Sequence, residues 1–491
     1  MEEINKNKSE LQNMSFDRSW DLPAPNNKII TVTQKDFINQ YYPSGHKIFD
    51  KDYFPDKTIE VELPKERGKP VQTQIKIIEV KRVALAIQSM TIDVIVPHLL
   101  GNDIVHKQIV FNGDDKNEEY ITGYKNVWSY KNMHYKLYEF VEHCLICGEA
   151  AIYIYFDKNK KLKSKTLSYL NGDLLCPKYD TYGNLEILYR KYKTTDENGD
   201  EVSRIDEITD SSVTTYKENG DYVETFAHPF PYIPVKFHRR RDGAYWTKVQ
   251  NNIDSLEWNM SALSEDNKTK TKGKYHIKVS NPSQVQSRSI GGSDVIVTDV
   301  QGDFKFLQPA DLSEAFKYEY ETLKENIFDA LGIVFLKMKA SGDMPTGSMK
   351  LLFYPSERVC KQLTKEFSES IQEISDIFKK GVAMEYPTLK INDDKFIIQS
   401  NIQVFVPSDD IATLSASADA FSKGALTFES MVRGNPKYLD TTDILLKQKE
   451  NEEKARLQTA IKTDGQETKE EEVVDKKEDE TNKVIKPKTT K

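Results

Sequence analysis

The chain has 491 residues, 38% of them hydrophobic and 30% charged, with 4 cysteines and a formal net charge of −8. That composition can build a core, so the chain is not disordered as a whole. The acidic balance argues against a protein that coats nucleic acid through bulk positive charge, and the scattered cysteines fit free thiols in a reducing compartment better than a disulfide framework. At roughly 150 residues per domain the length suits two to four domains.

The opening MEEINKNKSELQ predicts no secretory leader, and no run of about 18 apolar residues predicts a membrane span. Residues 1–30 are polar and are expected to be loose. KDFINQYYPSGHKIFDKDYF mixes aromatics with turn residues and predicts short helices. An apolar helix is expected within 75–100, ended by Pro97 and Gly101, and another over about 126–146. Cys144 and Cys147 form a CxxC near the end of that helix. A zinc site would need a second such pair, which is missing, so the two are read as small apolar residues before a stop at Gly148.

The texture then changes. AAIYIYFD, LSYLNGDLLCPKYD and LEILYRKYK read as strands. DENGD and KENGD supply the Asn-Gly pairs that tight hairpins use. A meandering sheet is expected, ending in HPFPYIPVKFHRRR (228–241).

From Trp246 the apolar residues Val249, Ile253, Leu256, Met260 and Leu263 follow at alternating spacings of three and four. They predict one long helix with a narrow stripe. A narrow stripe implies packing against other long helices rather than burial in a globule. Short strands follow at YHIKV, DVIVTDV and FKFL. A second long helix then carries Leu312, Phe316, Tyr320, Leu323, Ile327 and Leu331. Asp311 and Glu314 suggest a capping box at its start, and Gly332 is its stop. A third helix over about 348–384 should kink at Pro355. KFIIQSNIQVFV reads as a strand or hairpin. Ser408, Asp409 and Asp410 precede a helical region to about 455, and the Lys/Glu/Asp-rich remainder is expected to be disordered.

Between the second and third helices lies SGDMPTGSMK. It has the glycine spacing of a phosphate-cradling loop, but Ser348 stands where that loop needs lysine and Met349 where it needs a hydroxyl. Nor does it follow a buried strand. Nucleotide binding is therefore not expected, and two readings remain: a linker, with Ser348 capping the third helix, or a loop presented to a ligand. No H-E-x-x-H, G-x-S-x-G or paired CxxC is present, so neither catalysis, metal binding nor a cofactor is predicted.

The order of elements, with YIPVKF, VQNNIDSLEWNMSAL, VIVTDVQGDFKFLQP, TGSMKLLFYPSE and LICGEAAIYIYFD, resembles the siphovirus-type portal proteins of tailed double-stranded DNA bacteriophages. The resemblance covers about 75–450. It implies an α+β fold and a ring, usually of twelve subunits, at one capsid vertex. Residues 1–242 would be the N-terminal region and wing, 243–270 and 311–332 the two stem helices, and 271–310 a small β-rich clip. Residues 333–347 would be the tunnel loop, 348–406 the kinked helix and further wing strands, 407–450 a helical crown, and 451–491 a disordered tail.

The implied partners are double-stranded DNA bound without sequence preference, the terminase large subunit, a head–tail adaptor, and the major capsid and scaffolding proteins. The location is the virion, and the host cytoplasm during assembly. Within the tunnel loop Lys337, Lys339, Ser341, Asp343 and Met344 are the candidate channel residues; ordinary solvated lysines are the competing reading. Lys268, Lys270, Lys272 and Lys274 alternate through KTKTKGK, so an extended segment would place them on one side. They are candidates for docking at the clip, against a solvated edge. In such a ring Arg239, Arg240 and Arg241 are read as partners for a neighbouring subunit's carboxylates rather than as DNA contacts. Two other classes compete with the portal: another oligomeric connector or adaptor of the virion, and an NTP-dependent DNA-handling enzyme.

Overall fold

The computed structural model describes residues 11, 14–24, 28–62, 73–109, 118–196, 198–270, 275–280, 289–290, 293–298, 300–301, 313–334, 346–391, 396–405, 410–433, 447–449, 451–452 and 454. It divides into two units, Met1–Val406 and Pro407–Lys491. Helices and sheets are mixed, in keeping with an α+β fold.

The first unit opens with a correction. Strands β1 (Ser19–Ala24) and β2 (Lys28–Thr33) form an antiparallel hairpin in the stretch expected to be loose. Alternation places Trp20 opposite Val32, and Trp20 is 3% exposed, with its indole N–H donating to the Arg240 carbonyl at 2.9 Å. One large buried aromatic can anchor a short polar segment. Helix α1 (Gln34–Tyr41) follows, held by a capping box between Thr33 and Asp36. Two 3₁₀ turns, Pro43–Gly45 and Lys47–Phe49, complete the expected short helices.

An isolated hairpin, β3 (Lys57–Glu62) with β4 (Thr73–Ile78), precedes helix α2 (Ile87–Leu100). Pro97 lies inside α2 and Gly101 ends it. After β5 (Val105–Ile109), the helix expected over 126–146 is two: α3 (Glu118–Tyr130) and α4 (Met133–Cys147). The break falls at Asn132, in the left-handed region with φ 54°, a conformation that asparagine tolerates better than most residues.

Helix α4 stops at Gly148 (φ 78°), where a Cβ would stand 2.7 Å from the Trp20 ring. Only glycine fits such a close turn into β6 (Glu149–Phe156). β6 lies between β7 (Leu162–Leu167) and β13 (Val235–Arg239). The meander is a separate five-stranded sheet: β8 (Leu174–Tyr179), β9 (Leu185–Thr195), β10 (Glu201–Ile208), β11 (Ser212–Lys217) and β12 (Tyr222–Ala227), each paired with the next. The strand expected over 167–180 is shorter because Ser168 caps a 3₁₀ turn at Tyr169–Asn171, closed by Gly172. β13 leaves the meander altogether and pairs with β6.

Helix α5 (Gln250–Lys270) and helix α6 (Ser313–Leu331) bracket a small sheet. Its strands are β14 (Tyr275–Lys278), β15 (Ser289–Ile290) and β16 (Ser293–Thr298), with β16 central and parallel to β14. Among the described residues it joins no other sheet. FKFL and Asp311 lie outside the described residues.

Helix α7 (Thr346–Glu385) runs through Pro355 without a break. Proline removes one helical hydrogen bond, but Val359, Cys360, Leu363 and Phe367 follow it immediately and are buried in the main core. Ser348 lies inside this helix rather than capping it. Strand β17 (Ile397–Asn401) pairs antiparallel with the distant β5, so the stretch is a strand and no hairpin.

The main core gathers α2, α3, α4, α7, the base of α5 and the end of α6 around Phe37, Tyr124, Phe140, Trp246, Phe367 and Phe378. In the second unit, α8 (Asp410–Ser422) and α9 (Phe428–Arg433) are linked by an edge-on contact of Phe421 with Phe428, 5.7 Å between centroids. Ser408, Asp409 and most of the charged tail lie outside the described residues.

Candidate functional site

The candidate site is the pair of long helices, the sheet between them and the loop that follows. The helices are fixed to each other at the base. Gly243 (φ 71°) turns the chain where a Cβ would meet the Phe37 ring at 2.4 Å. Tyr245 then donates its hydroxyl to the Leu331 carbonyl at 2.9 Å, tying the start of α5 to the end of α6. Trp246 is fully buried, stacks on Tyr41 and donates to Gln40 at 3.0 Å.

Along α5, Glu257, Ser261 and Glu265 form a second, polar stripe beside the apolar one. They accept the backbone N–H groups of Leu85 (2.7 Å), Val83 (2.8 Å) and Lys81 (3.2 Å) in turn. The fit is geometric: four residues of helix rise about 6 Å and two residues of extended chain about 6.6 Å. Glu257 also meets His46 at 2.6 Å, and both side chains are almost wholly buried. The segment before α2 is thereby strapped along the helix. Burial by itself would raise the Glu265 carboxyl, but the Lys81 N–H and the Lys268 ammonium outweigh it and hold the group below its ordinary value.

Burial changes along each long helix. Val249, Ile253 and Leu256 near the start of α5 are buried, whereas Met260 and Leu263 are half-buried. On α6, Phe316, Tyr320 and Leu323 are half-buried, whereas Ile327 and Leu331 are fully buried. The narrow stripe was expected to avoid burial in a globule. At the base it enters the core, and only the half nearer the small sheet stays open. There Asn259 donates to Glu319 at 2.9 Å, linking the helices. The exposed positions of α6 include Glu314, Glu319, Glu321, Glu325 and Asp329.

Helix α6 ends in a Schellman motif, with the Ile333 N–H donating to the Phe328 carbonyl at 2.9 Å and Gly332 at φ 68°. The Ser356 hydroxyl donates to the Gly332 carbonyl, seating this end on α7. Lys337, Lys339, Ser341, Asp343 and Met344 lie outside the described residues, between Val334 and Thr346.

Of the alternating lysines, Lys268 and Lys270 belong to α5, which ends at Lys270 as the expected stem helix did. The extended register therefore does not hold for them. Lys268 pairs with Glu265 at 3.4 Å, and Lys272 and Lys274 lie outside the described residues.

Two of the three arginines find carboxylates within their own chain. Arg239 lies 3.7 Å from Glu149, and Arg240 bonds Glu366 at 2.8 Å, both within the chain; Arg241 is exposed. Glu149 has 0% side-chain exposure, and burial raises its carboxyl despite Arg18 and Arg239. Burial would likewise raise Glu366, but the facing His238, 3.7 Å away, and Arg240 hold it down at about 2.

Cys144 and Cys147 are buried, and burial pushes the Cys147 thiol up to about 12. Among the described residues no His/Cys/Asp/Glu group could hold a metal ion, and no helix is long and apolar enough to cross a membrane.

The polar stripe on α5 escaped the sequence reading. Its signal was the spacing of Glu257, Ser261 and Glu265 beside the apolar stripe, which by itself looks like a solvated face.

Residues 26–467 match the model of a family described as phage portal protein, SPP1 Gp6-like. No curated protein matches the chain.

Proposed function

The chain belongs to the SPP1 Gp6-like phage portal protein family, and from that membership we propose that copies of it close into a ring around a channel for double-stranded DNA. Its role is that of a phage portal protein, a structural component of the capsid vertex that serves DNA packaging and adaptor docking.

The ring has about twelve subunits. The terminase large subunit drives DNA through it and hydrolyses the ATP, so the portal itself turns over no nucleotide. Helices α5 and α6 form the stem, the small sheet is the clip that docks terminase and then the head–tail adaptor, and 333–347 is the tunnel loop. Residues 1–242 and 348–406 build the wing and 407–450 the crown. The ring assembles in the host cytoplasm with major capsid and scaffolding proteins.

One observation carries this reading: the apolar stripes of α5 and α6 are buried at the base and half-open toward the small sheet. A stripe left open over two or three turns suits a second copy of the same helices. The acidic positions of α6 suit a wall that DNA must pass without adhering, since every phosphate contact adds a salt-dependent barrier to sliding. Lys337 and Lys339 supply limited positive charge at the tunnel loop, and Lys268, Lys270, Lys272 and Lys274 lie at the entry to the clip.

Negative-stain imaging of the purified protein tests the proposal. Rings of ten or more subunits with a central hole and a projecting stem are expected. Rings without the projection would favour another connector protein, and ATP turnover by the protein alone would favour an enzyme.

A further inference from the structure

The β6–β7 hairpin carries an unusual charge for an acidic chain. Lys158, Lys160, Lys161, Lys163 and Lys165 occur within DKNKKLKSK. Beside this hairpin a cavity of about 550 Å³ opens between the α3–α4 junction, the start of β7 and the end of α7. Its wall holds four lysines, Lys131, Lys136 (itself paired with Glu139 at 2.8 Å), Lys161 and Lys163, against the single lining carboxylate of Glu385.

That carboxylate is already engaged. Glu385 takes the Lys131 ammonium at 2.8 Å and the Leu162 N–H at 3.0 Å. Lys161 stands 3.6 Å from it, with 60% of its own side chain exposed. Lys163 is exposed at the rim. Tyr130 and Tyr135, 76% and 63% exposed, stand beside the lysines, and Leu162 and Phe378 lie beneath them, closed to solvent at 0% and 1% exposure.

We propose that this cavity is a docking site for an acidic peptide segment of a partner protein, one in which carboxylates flank an aromatic or aliphatic side chain. The charge balance selects an anionic partner. The exposed tyrosine rim selects a partner that also brings a hydrophobic group. The size selects a peptide: cavities of about 300–1,000 Å³ hold a small ligand or a few side chains, and a duplex is too wide to reach the floor. The site rests on the chain's own geometry and does not depend on ring assembly.

The test uses the purified full chain and a short fluorescein-labelled peptide of glutamates and aspartates around a central phenylalanine, read by fluorescence anisotropy. The wild type is expected to bind, more weakly as salt rises. Double reversal at the rim, Lys161→Glu with Lys163→Glu, should weaken binding about tenfold, because each reversal turns an attraction into a repulsion. Lys158→Glu with Lys160→Glu makes the same change in net charge at the turn, outside the cavity wall, and should cost about twofold or less. Tyr135→Ala, at an exposed position that the fold does not need, should weaken binding without altering its salt dependence. Absence of binding by the wild type, or equal weakening by the two double reversals, would overturn the proposal. So would displacement of the peptide by a short DNA duplex at equal charge concentration, which would assign the surface to nucleic acid.

Discussion

The two halves of the long helices carry the same kind of stripe and meet different fates. At the base, Val249 just before α5, Ile253 and Leu256 of α5, and Ile327 and Leu331 of α6 are buried in the core of their own chain. Toward the small sheet, Met260, Leu263, Phe316, Tyr320 and Leu323 are only half-covered. Periodicity states which side of a helix is apolar. It does not state whether the chain itself or another copy will cover that side.

The comparison can be broken by substitution. Trp246→Ala at the base removes the largest fully buried side chain and should cost about 4 kcal/mol. Thermal unfolding of the purified chain would show it, and a drop of only a degree or two would mean that the base is not part of the core. Glu257→Ala strands the Leu85 N–H and the buried His46 together, an expected loss of about 3 kcal/mol. Amide exchange should then accelerate at Lys81, Val83 and Leu85, the residues of the strap. Unchanged protection there would show that the strap is held by other contacts.

A third measurement uses pH. The Glu366 carboxyl has an ordinary value of 4.5 and is held at about 2 in the folded chain. A depressed carboxylate stabilises the fold fully above its ordinary value and loses that contribution as pH falls through the folded value. Glu366→Gln should therefore be less stable than wild type at neutral pH, on the order of 2 kcal/mol, a figure reduced for the 30% exposure of the side chain. The gap should close between about pH 4.5 and 2. A gap that stays constant across that window would show that the carboxyl is not charge-coupled to Arg240.

The smallest effect on the single chain is expected where the stripe is open. Leu323→Ser should cost about 1 kcal/mol or less in unfolding, because the side chain is half-exposed. Its effect should appear in assembly: sedimentation of the variant should show fewer or smaller rings. Normal rings from Leu323→Ser would assign the open half of the stripe to something other than a neighbouring copy.

Local chemistry made much of the fold legible. Glycine stops at Gly148 and Gly332, the meander hairpins and the long helices all follow from spacing and turn residues. Several departures share one source, although the break at Asn132 and the turn capped by Ser168 are local. The N-terminal hairpin, the Arg239 and Arg240 ion pairs, and the pairing of β17 with β5 all depend on contacts between residues far apart in the chain. The α5 ladder was invisible for the same reason. A glutamate on a helix looks solvated until an extended segment from 172 residues away brings a backbone N–H to it. The basic cavity was half-visible, since DKNKKLKSK is a plain run of lysines, but Tyr135 and Glu385 join it only in three dimensions.

The sequence by itself determined the order of elements, the apolar side of each long helix and, through that order, the family resemblance. These depend on intervals of a few residues, which helix and strand geometry translate directly into faces. Only the tertiary structure decided how far each stripe is buried, which carboxylates face which cations, and where the lysines of a surface hairpin meet exposed tyrosines. Those outcomes depend on which distant segments are brought together, and neither hydrophobic period nor turn chemistry encodes that choice locally.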